Sequence, residues 1–417
     1  MHIGIYLGRW SLHQLGGMGV YLRNLLAGVR ELDSPDHRLS LLVDDVNLDA
    51  ANQVAPALPV ITLHRPDFDD IPPGERRRII QVRRLSYKNI DDADAKRHVP
   101  WSTAAESYLW GLDDAVTRSG IDLLYFTIPP YLKCPRVPYL LTLHDLKHLH
   151  RPQDHDAADL ARRRRWTRVA HSASLVYASF DHIRRDLLHR LGLPSAKTAV
   201  LPLACPDEFR LPPSPAHPPS DLDLPEKFAL MPAQFWPHKN HQRVVQAIAY
   251  LRHQRNLNIP VICTGQNTGQ CASCAHRVAY LAKQLGVADL VRQIGFVSND
   301  TLTALYAGAR FILVATLYDP GSFPAMEALA MGKPLAASRV TTIPETVGDA
   351  AALFDPHRVE DIANVLARLW TDDELCQRLA RRGPDQVANR TWTDVARDWL
   401  QLCERAAHHR TPQEVFS

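Results

Sequence analysis

Short apolar runs alternate with longer helical patterns along almost the whole chain. HIGIYL near the N-terminus is followed by the helical pattern VYLRNLLAGV, and later runs such as DLLYF, SLVYA and FILVA are separated by further helical segments. Alternating strand and helix patterns are typical of parallel sheets joined by crossover helices. The sequence therefore predicts an α/β fold built from doubly wound, Rossmann-like parallel sheets.

The length and one proline-rich segment predict two domains. A chain of 417 residues is long enough for two domains of about 200 residues each. The segment PDEFRLPPSPAHPP interrupts the alternation near the middle of the chain, which is typical of a linker. We expect a first domain at 1–205, a linker at 206–221 and a second domain at 222–392, and the helical stretch 393–407 could cross back to the first domain. Two such sheets facing each other imply a ligand cleft between the domains.

The charge balance excludes a dedicated nucleic-acid binder. The 48 Lys and Arg residues nearly balance 45 Asp and Glu residues, far from the strongly basic composition of such proteins. The chain begins with a strand-like run instead of a targeting segment, and no apolar run approaches the length of a membrane span. We expect a soluble, cytoplasmic protein.

The seven cysteines are scattered along the chain, which does not resemble a disulfide framework. Cys271 and Cys274 form a CxxC pair with His276 close behind, but a structural zinc site needs four ligands. We therefore expect reduced thiols and no metal.

The first candidate site motif, DPGSFPAME, follows the apolar run FILVAT and opens the helical pattern AMEALAMG. Ser322 is a plausible helix N-cap and Pro324 suits the first turn, and such a helix start attracts phosphate. The motif places Asp319 in the loop and Glu327 one turn inside the helix, where carboxylates can accept hydrogen bonds from sugar hydroxyls. The alternative is that Glu327 merely caps or solvates the helix start.

The second motif, QFWPHKNH, lies between the run KFALMP and an amphipathic helix. Lys239 in this motif could neutralise a diphosphate. The alternative is a solvated lysine at a helix entrance, with Trp236 as a packing residue.

The first domain contributes two further candidates. The glycines of Gly16-Gly17-Met18-Gly19 would let the backbone approach a ligand closely between the first strand and the first helix. His144 ends the run YLLTLH, where its imidazole could hold a sugar hydroxyl or donate to a phosphate. The alternative for His144 is a satisfied core histidine.

Taken in this order and spacing, the four elements resemble the retaining family 4 glycosyltransferases of the GT-B fold. The resemblance extends to TTIPETVG at 341–348 and AALFDP at 351–356, and it covers most of the chain. It implies that the first domain binds the acceptor and the second a nucleotide-sugar donor. It also implies that Glu327 binds ribose, Asp319 the transferred sugar and Lys239 the diphosphate, with Gly17 and His144 contacting the donor phosphate and sugar. The remaining implied donor contacts are Gln234, Gly321, Ser322 and Phe323.

The chain departs from the family pattern at two positions. Asp319 stands where the family usually has glutamate, and Gln234 stands where an arginine commonly shares the diphosphate. The loss of that cation leaves Lys239 and the helix start to stabilise the leaving diphosphate, unless Arg243 or Arg339 compensates.

The resemblance implies a hexosyltransferase that retains the anomeric configuration, uses no metal and acts on a saccharide or lipid-linked saccharide in polysaccharide or lipopolysaccharide synthesis. Two alternatives stay open. A nucleotide-sugar epimerase on the same architecture would turn over donor without acceptor, and a catalytically idle binding protein would hold donor without transferring it.

Two basic stretches could contact an anionic membrane surface at the inner face of the membrane. Arg76–Leu85 mixes cations with apolar residues, and 162–165 is a run of four arginines. Such segments are attracted to anionic lipids, although an ordinary solvated helix face fits them equally well.

Overall fold

A computed structural model describes residues 1–8, 17–44, 58–63, 112–129, 137–210 and 222–408. The chain divides into two compact units. Unit 1 comprises Met1–Pro202 together with the C-terminal segment from Trp392, and unit 2 comprises Leu203–Thr391. The division therefore comes three residues before the predicted end of the first domain at 205. Most of the predicted linker, residues 211–221, and all of Arg76–Leu85 lie outside the described residues.

Unit 1 is built on a seven-stranded parallel sheet in the order β3-β2-β1-β4-β5-β6-β7. Its strands are β1 (His2–Gly8), β2 (Arg38–Asp44), β3 (Val60–Leu63), β4 (Leu123–Phe126), β5 (Tyr139–Thr142), β6 (Leu175–Ala178) and β7 (Thr198–Val200). The described helices before unit 2 are α1 (Gly17–Leu32), α2 (Leu112–Ser119), α3 (Lys147–His150), α4 (Ala157–Arg163), α5 (Arg165–Ser172) and α6 (Asp181–His189).

Unit 2 repeats this plan with a six-stranded parallel sheet in the order β10-β9-β8-β11-β12-β13. Its strands are β8 (Ala229–Pro232), β9 (Val261–Thr264), β10 (Val291–Gly295), β11 (Phe311–Val314), β12 (Leu335–Ser338) and β13 (Ala352–Phe354). Its helices are α7 (His241–Arg255), α8 (Ala272–Gln284), α9 (Asn299–Gly308), α10 (Phe323–Ala330), α11 (Ile343–Val347), α12 (Val359–Thr371) and α13 (Asp373–Ala388). The predicted fold of two Rossmann-like parallel-sheet domains is confirmed.

The central strands are buried along their whole length. Every residue of β4, β5, β6, β9, β11 and β12 is buried, because helices cover both faces of a parallel sheet. This is why these strands read as continuous apolar runs and not as an alternation of apolar and polar residues.

The last described helix, α14 (Trp392–His408), belongs to unit 1 although it follows unit 2 in sequence. The ring of Trp399 packs edge-on against Tyr125 of β4 at 5.1 Å, and Trp392 packs against Tyr21 of α1 at 6.0 Å. Thr393 donates a hydrogen bond to Glu31 of α1. The predicted stretch 393–407 thus forms a helix that completes the core of unit 1.

A glycine permits the close approach of α1 to α14. A Cβ atom at Gly28 would lie 2.7 Å from the carbonyl carbon of Trp392 and would overlap its carbonyl oxygen. No side chain larger than hydrogen fits there without a shift of backbone.

None of the helices in the described ranges is both long enough and apolar enough to cross a membrane. The interaction of the basic stretches with a membrane surface stays a prediction.

We predict that Gly28→Val lowers the free energy of unfolding by about 3 kcal/mol, the upper range for overpacking, because the new side chain overlaps the backbone of α14. Arg23→Val, on an exposed part of the same helix, introduces the same residue without that overlap and controls for helix propensity. Urea denaturation followed by tryptophan fluorescence measures both variants. Equal stability of the two variants would show that α14 does not pack on α1 as described.

Candidate active site

The loops that follow β8 and β11 meet at the carboxyl edge of the unit 2 sheet. These two strands are neighbours at the point where the strand order reverses, which is where open α/β sheets bind ligands. The amide of Leu317 donates a hydrogen bond of 2.7 Å to the carbonyl oxygen of His238, and Thr316 donates to the same oxygen at 3.2 Å. The two loops are therefore held against each other by hydrogen bonds.

Lys239 and Asp319 form an ion pair across these loops. Lys239 Nζ lies 3.0 Å from Asp319 Oδ2, and the side chains are 23% and 3% exposed respectively. The other carboxylate oxygen of Asp319 accepts a hydrogen bond from the amide of Gly321 at 3.2 Å. The sequence gives these residues separate roles, towards a diphosphate and a sugar, whereas the structure pairs them. Lys239 is thus more than a solvated lysine at a helix entrance.

Two threonines hold the backbone of Asp319. Thr341 exchanges hydrogen bonds with the Asp319 amide and carbonyl at 3.0 and 2.7 Å, and Thr342 donates to the same carbonyl at 3.0 Å. Thr341 has a φ angle of 47°, which is rare for a β-branched residue and costs energy. The hydrogen bonds between Thr341 and the Asp319 backbone fix this conformation and hold the Asp319 loop in place.

Helix α10 begins directly beside the ion pair. Ser322 is its N-cap, with the side chain accepting a hydrogen bond from the amide of Ala325, and Pro324 lies in the first turn, as predicted. A small pocket is lined by Lys239, Ser322, Pro324 and the ends of β8 and β11. An anion bound there would meet both the lysine and the positive end of the helix dipole.

Glu327 is buried one turn further along α10, with 8% exposure. Its carboxylate accepts a hydrogen bond of 2.7 Å from the hydroxyl of Tyr306 in α9. Burial raises the pKa of Glu327 to about 7, while the Tyr306 hydrogen bond opposes that rise and the charge of Glu208 adds to it. The alternative that Glu327 merely caps or solvates the helix start is wrong, because Ser322 is the cap and Glu327 is shielded from solvent.

Gln234 and Trp236 contact each other in the loop after β8. The indole N–H of Trp236 donates to the Gln234 side-chain carbonyl at 2.7 Å, and Trp236 packs partly against the core of unit 2. This loop lies directly on Gly265, where a Cβ would be 2.7 Å from the Ala233 backbone and where φ is +112°. Only glycine suits both conditions.

The two arginines considered as replacements for the missing cation differ in their placement. Arg243 donates to the Asn240 side chain at 3.1 Å at the start of α7. Arg339 is exposed directly after β12. Neither pairs with Asp319 among the described contacts.

The unit 1 candidates lie after β1 and β5. Gly17 is the exposed first residue of α1, and Gly16 lies outside the described residues. His144 follows β5 and packs edge-on against the ring of Tyr21 at 4.9 Å. Burial lowers the pKa of His144 to about 4, so its imidazole is neutral at pH 7, and its buried Nε2 has no hydrogen-bond partner among the described residues. A satisfied core histidine does not fit this arrangement.

Cys271 and Cys274 are buried in the hydrophobic core of unit 2. Burial raises the pKa of both thiols, which favours the thiol over the thiolate that binds metals. The expectation that they hold no metal stays a prediction.

The sequence does not identify Tyr306 or the clamping role of Thr341 and Thr342. Tyr306 lies 21 residues before Glu327 in a different helix, and no local spacing joins the two. The threonines stand in the quoted TTIPETVG segment, yet their hydrogen bonds to Asp319 depend on β11 and β12 being neighbours in the sheet.

Comparisons with known proteins find similarity to glycosyltransferases. Residues 215–386, nearly all of unit 2, match the model "Glycosyl transferases group 1". O-antigen chain mannosyltransferase B of Escherichia coli is 27% identical over 327 residues, 76% of each chain. MMP alpha-(1->4)-mannosyltransferase of Mycolicibacterium hassiacum is 30% identical over 174 residues, 41% of each chain.

Solved structures share the fold over nearly the full length of the chain. A glycosyltransferase of Rickettsia africae superposes with a TM-score of 0.69 at 14% identity, covering 98% of this chain and 99% of that one. Anabaena HepE, solved with UDP and glucose, gives 0.69 at 16% identity, covering 97% and 99%. The fold and the matched segment define a GT-B glycosyltransferase. Within that class, residues 215–386 are the part of the chain that matches the glycosyl transferases of group 1.

We predict that the free energy of unfolding of Glu327→Gln increases relative to that of the wild type as the pH rises from 5 to 8, because only the wild type loses stability over this range. The pKa of Glu327 rises from 4.5 in the unfolded chain to about 7 in the fold, so the folded protein binds its proton more tightly. Ionisation of Glu327 therefore lowers the free energy of unfolding between these pH values, by on the order of 3 kcal/mol, and a neutral amide avoids that loss.

Thermal unfolding of both proteins from pH 5 to pH 8 measures this effect. Glu360→Gln, which replaces an exposed glutamate of α12, reports the effect of losing one surface carboxylate. A stability difference between Glu327→Gln and wild type that is the same at pH 5 and pH 8 would contradict the prediction.

Proposed function

We propose that the protein transfers a hexose from a nucleotide diphosphate sugar to a hydroxyl of a saccharide or lipid-linked saccharide, with retention of the anomeric configuration. The observation that carries this proposal is the Lys239–Asp319 ion pair beside the Ser322-capped helix, at the strand-order reversal of a group 1 domain. Such a position offers a diphosphate both a cation and a helix start.

In this proposal the diphosphate enters the pocket beside Lys239 and α10. The bond between the anomeric carbon and the diphosphate oxygen breaks, the acceptor oxygen bonds to that carbon, and the acceptor proton passes to the leaving diphosphate. Lys239 stabilises the charge that develops on the leaving group, so no metal is required at this position. We assign no residue as a covalent nucleophile.

The remaining site residues bind and orient the donor in this proposal. Asp319 accepts hydrogen bonds from the transferred sugar while it holds Lys239. Glu327 accepts from the ribose hydroxyls, which its ionised form does better than its neutral form. The neutral imidazole of His144 has one N–H group, which can donate a hydrogen bond to the sugar or the phosphate of the nucleotide sugar. Gly17 allows the backbone to approach the nucleotide sugar.

Mannose is the first sugar to test. Several relatives of this chain carry names of mannosyltransferases, and one is named for the O-antigen chain. We therefore propose a mannosyl donor such as GDP-mannose and a role in cell-surface polysaccharide or lipopolysaccharide synthesis.

A thermal-shift screen with GDP-mannose, UDP-glucose and UDP-galactose tests the donor. A donor at about 100 times its Kd stabilises the protein by roughly 2.7 kcal/mol, and Glu327→Gln should lose about 1.5–3 kcal/mol of that donor's binding energy. NMR of the product then compares the anomeric configuration of product and donor, and an inverted product overturns retention. Conversion of donor alone to an epimer supports an epimerase, and binding without transfer to any acceptor supports an idle binding protein.

We predict that Lys239→Ala lowers turnover at saturating donor by about 10²- to 10³-fold, because one preorganised charge donor is lost from the leaving group. Donor binding should fall less, since the extra charge develops only in the transition state. Gln234→Arg in the same background should restore part of the turnover by supplying a cation in the same loop.

Lys239→Ala also leaves the buried Asp319 carboxylate unpaired, which can destabilise the fold. The double variant Lys239→Ala/Asp319→Asn removes that charge, and Lys283→Ala, an exposed lysine of α8, is the matched control. Turnover within a few-fold of wild type in both Lys239 variants would place the diphosphate elsewhere.

A further inference from the structure

Two histidines and one aspartate of unit 1 converge close to the carboxyl edge of its sheet. His150 is the last residue of α3, and His182 and Asp186 lie four positions apart on α6, so they share one face of that helix. One ligand atom from each of the three lies within 4.8 Å of the other two. No other group of three or more such side chains occurs in the part of the chain that the structure describes.

We propose that His150, His182 and Asp186 bind a divalent transition-metal ion, with Zn²⁺ as the best match. Zinc binds both imidazole nitrogens and carboxylate oxygens, the two imidazoles favour it over Mg²⁺ and Ca²⁺, and three protein ligands leave a fourth position for water. This site is separate in chemistry from the proposed sugar transfer, in which Lys239 carries the charge role.

The carboxylate of Asp186 is already oriented for such a role. Its Oδ1 accepts a hydrogen bond from Arg190 Nε at 3.0 Å, and its Oδ2 lies 2.5 Å from His150 Nε2. The Asp186 side chain is only 10% exposed. A hydrogen bond to the second oxygen of a carboxylate is the usual support of a metal-binding carboxylate, and here Arg190 supplies it one turn away.

The segment around His150 is also fixed. The guanidinium of Arg151 donates two hydrogen bonds to Asp154, at 2.7 and 3.1 Å, and the Arg151 amide donates to the Lys147 carbonyl at 2.7 Å. The backbone that carries His150 is therefore held before any ion arrives, which lowers the entropic cost of assembling the ligands.

Binding requires small side-chain movements. Ligand atoms about 2.0–2.2 Å from a tetrahedral zinc ion lie roughly 3.4 Å from each other. The His150 Nε2 and Asp186 Oδ2 atoms, now 2.5 Å apart, must therefore separate slightly, and the His182 ligand atom, which lies within 4.8 Å of both, must take up a similar distance from each. The ion displaces the proton that now lies between His150 and Asp186, and that proton moves to the other ring nitrogen or to solvent.

The competing explanation is a purely structural network in which Asp186 ties α3 to α6 through His150 and Arg190. That network involves His150 and Asp186 but assigns no ligand role to His182. His182→Gln therefore separates the two explanations, because it removes a proposed ligand and leaves the His150–Asp186 pair in place.

The test is titration of EDTA-treated, full-length protein with Zn²⁺ by calorimetry and with Co²⁺ by visible absorption, with no nucleotide sugar present. The chain contains 20 histidines, so His189→Gln, an exposed histidine at the end of α6, controls for weak surface binding. We expect one equivalent of metal in the wild type and in His189→Gln, and at least a ten-fold weaker affinity in His182→Gln. A tetrahedral Co²⁺ spectrum should be lost with the same variant.

Two results overturn the proposal: the absence of stoichiometric binding in the wild type, or equal affinity in wild type and His182→Gln. Asp186→Asn should also lose the site, and thermal unfolding of both variants shows whether the fold is kept. If Asp186→Asn does not fold, His182→Gln alone decides. Because no donor is used, the outcome is independent of the proposed sugar transfer.

Discussion

The ion pair between Lys239 and Asp319 is the interaction on which the unit 2 site depends. The two residues are 80 positions apart in sequence, and they meet because β8 and β11 are neighbours where the strand order reverses. A carboxylate as buried as Asp319 is costly without a partner. The hydrogen bonds from Leu317 and Thr316 to His238, and those of Thr341 and Thr342 to Asp319, all serve to keep this pair assembled.

The pair also connects the two departures from the family pattern. Asp319 holds Lys239 at 3.0 Å, so the loop after β8 presents a lysine whose charge is already balanced. Gln234 stands where an arginine is common in the family, and its side-chain carbonyl accepts a hydrogen bond from Trp236. An incoming anion must therefore compete with the Asp319 carboxylate for Lys239. The binding energy of the anion depends on where that carboxylate moves when the ion pair opens. A pocket of this kind favours ligands that bring both a negative charge and hydroxyl donors.

The sequence predicts what local pattern determines. Apolar runs locate β1, β4 and β11, and turn chemistry identifies Ser322 as the cap of α10, because burial on both sheet faces and capping leave marks within a few residues. Side-chain partners across elements leave no such mark. The pairing of Lys239 with Asp319, the Tyr306 bond to Glu327 and the convergence of His150 with His182 all depend on which strands and helices become neighbours. The raised pKa of Glu327 is likewise a product of burial, which its position in a motif does not encode.

Unit 1 is formed by two separate segments of the chain, and this has a consequence for biosynthesis. Unit 2 is one uninterrupted stretch of chain, whereas the core of unit 1 lacks Trp392 and Trp399 until α14 has been made. Domains generally fold in order from the N-terminus as they leave the ribosome. In this protein the N-terminal sheet must instead wait, with Tyr21 and Tyr125 uncovered, while the whole of unit 2 is translated. The N-terminal segment of unit 1 is synthesised first and therefore exposes apolar surface for the longest time. We expect chaperones to bind the nascent chain mainly there.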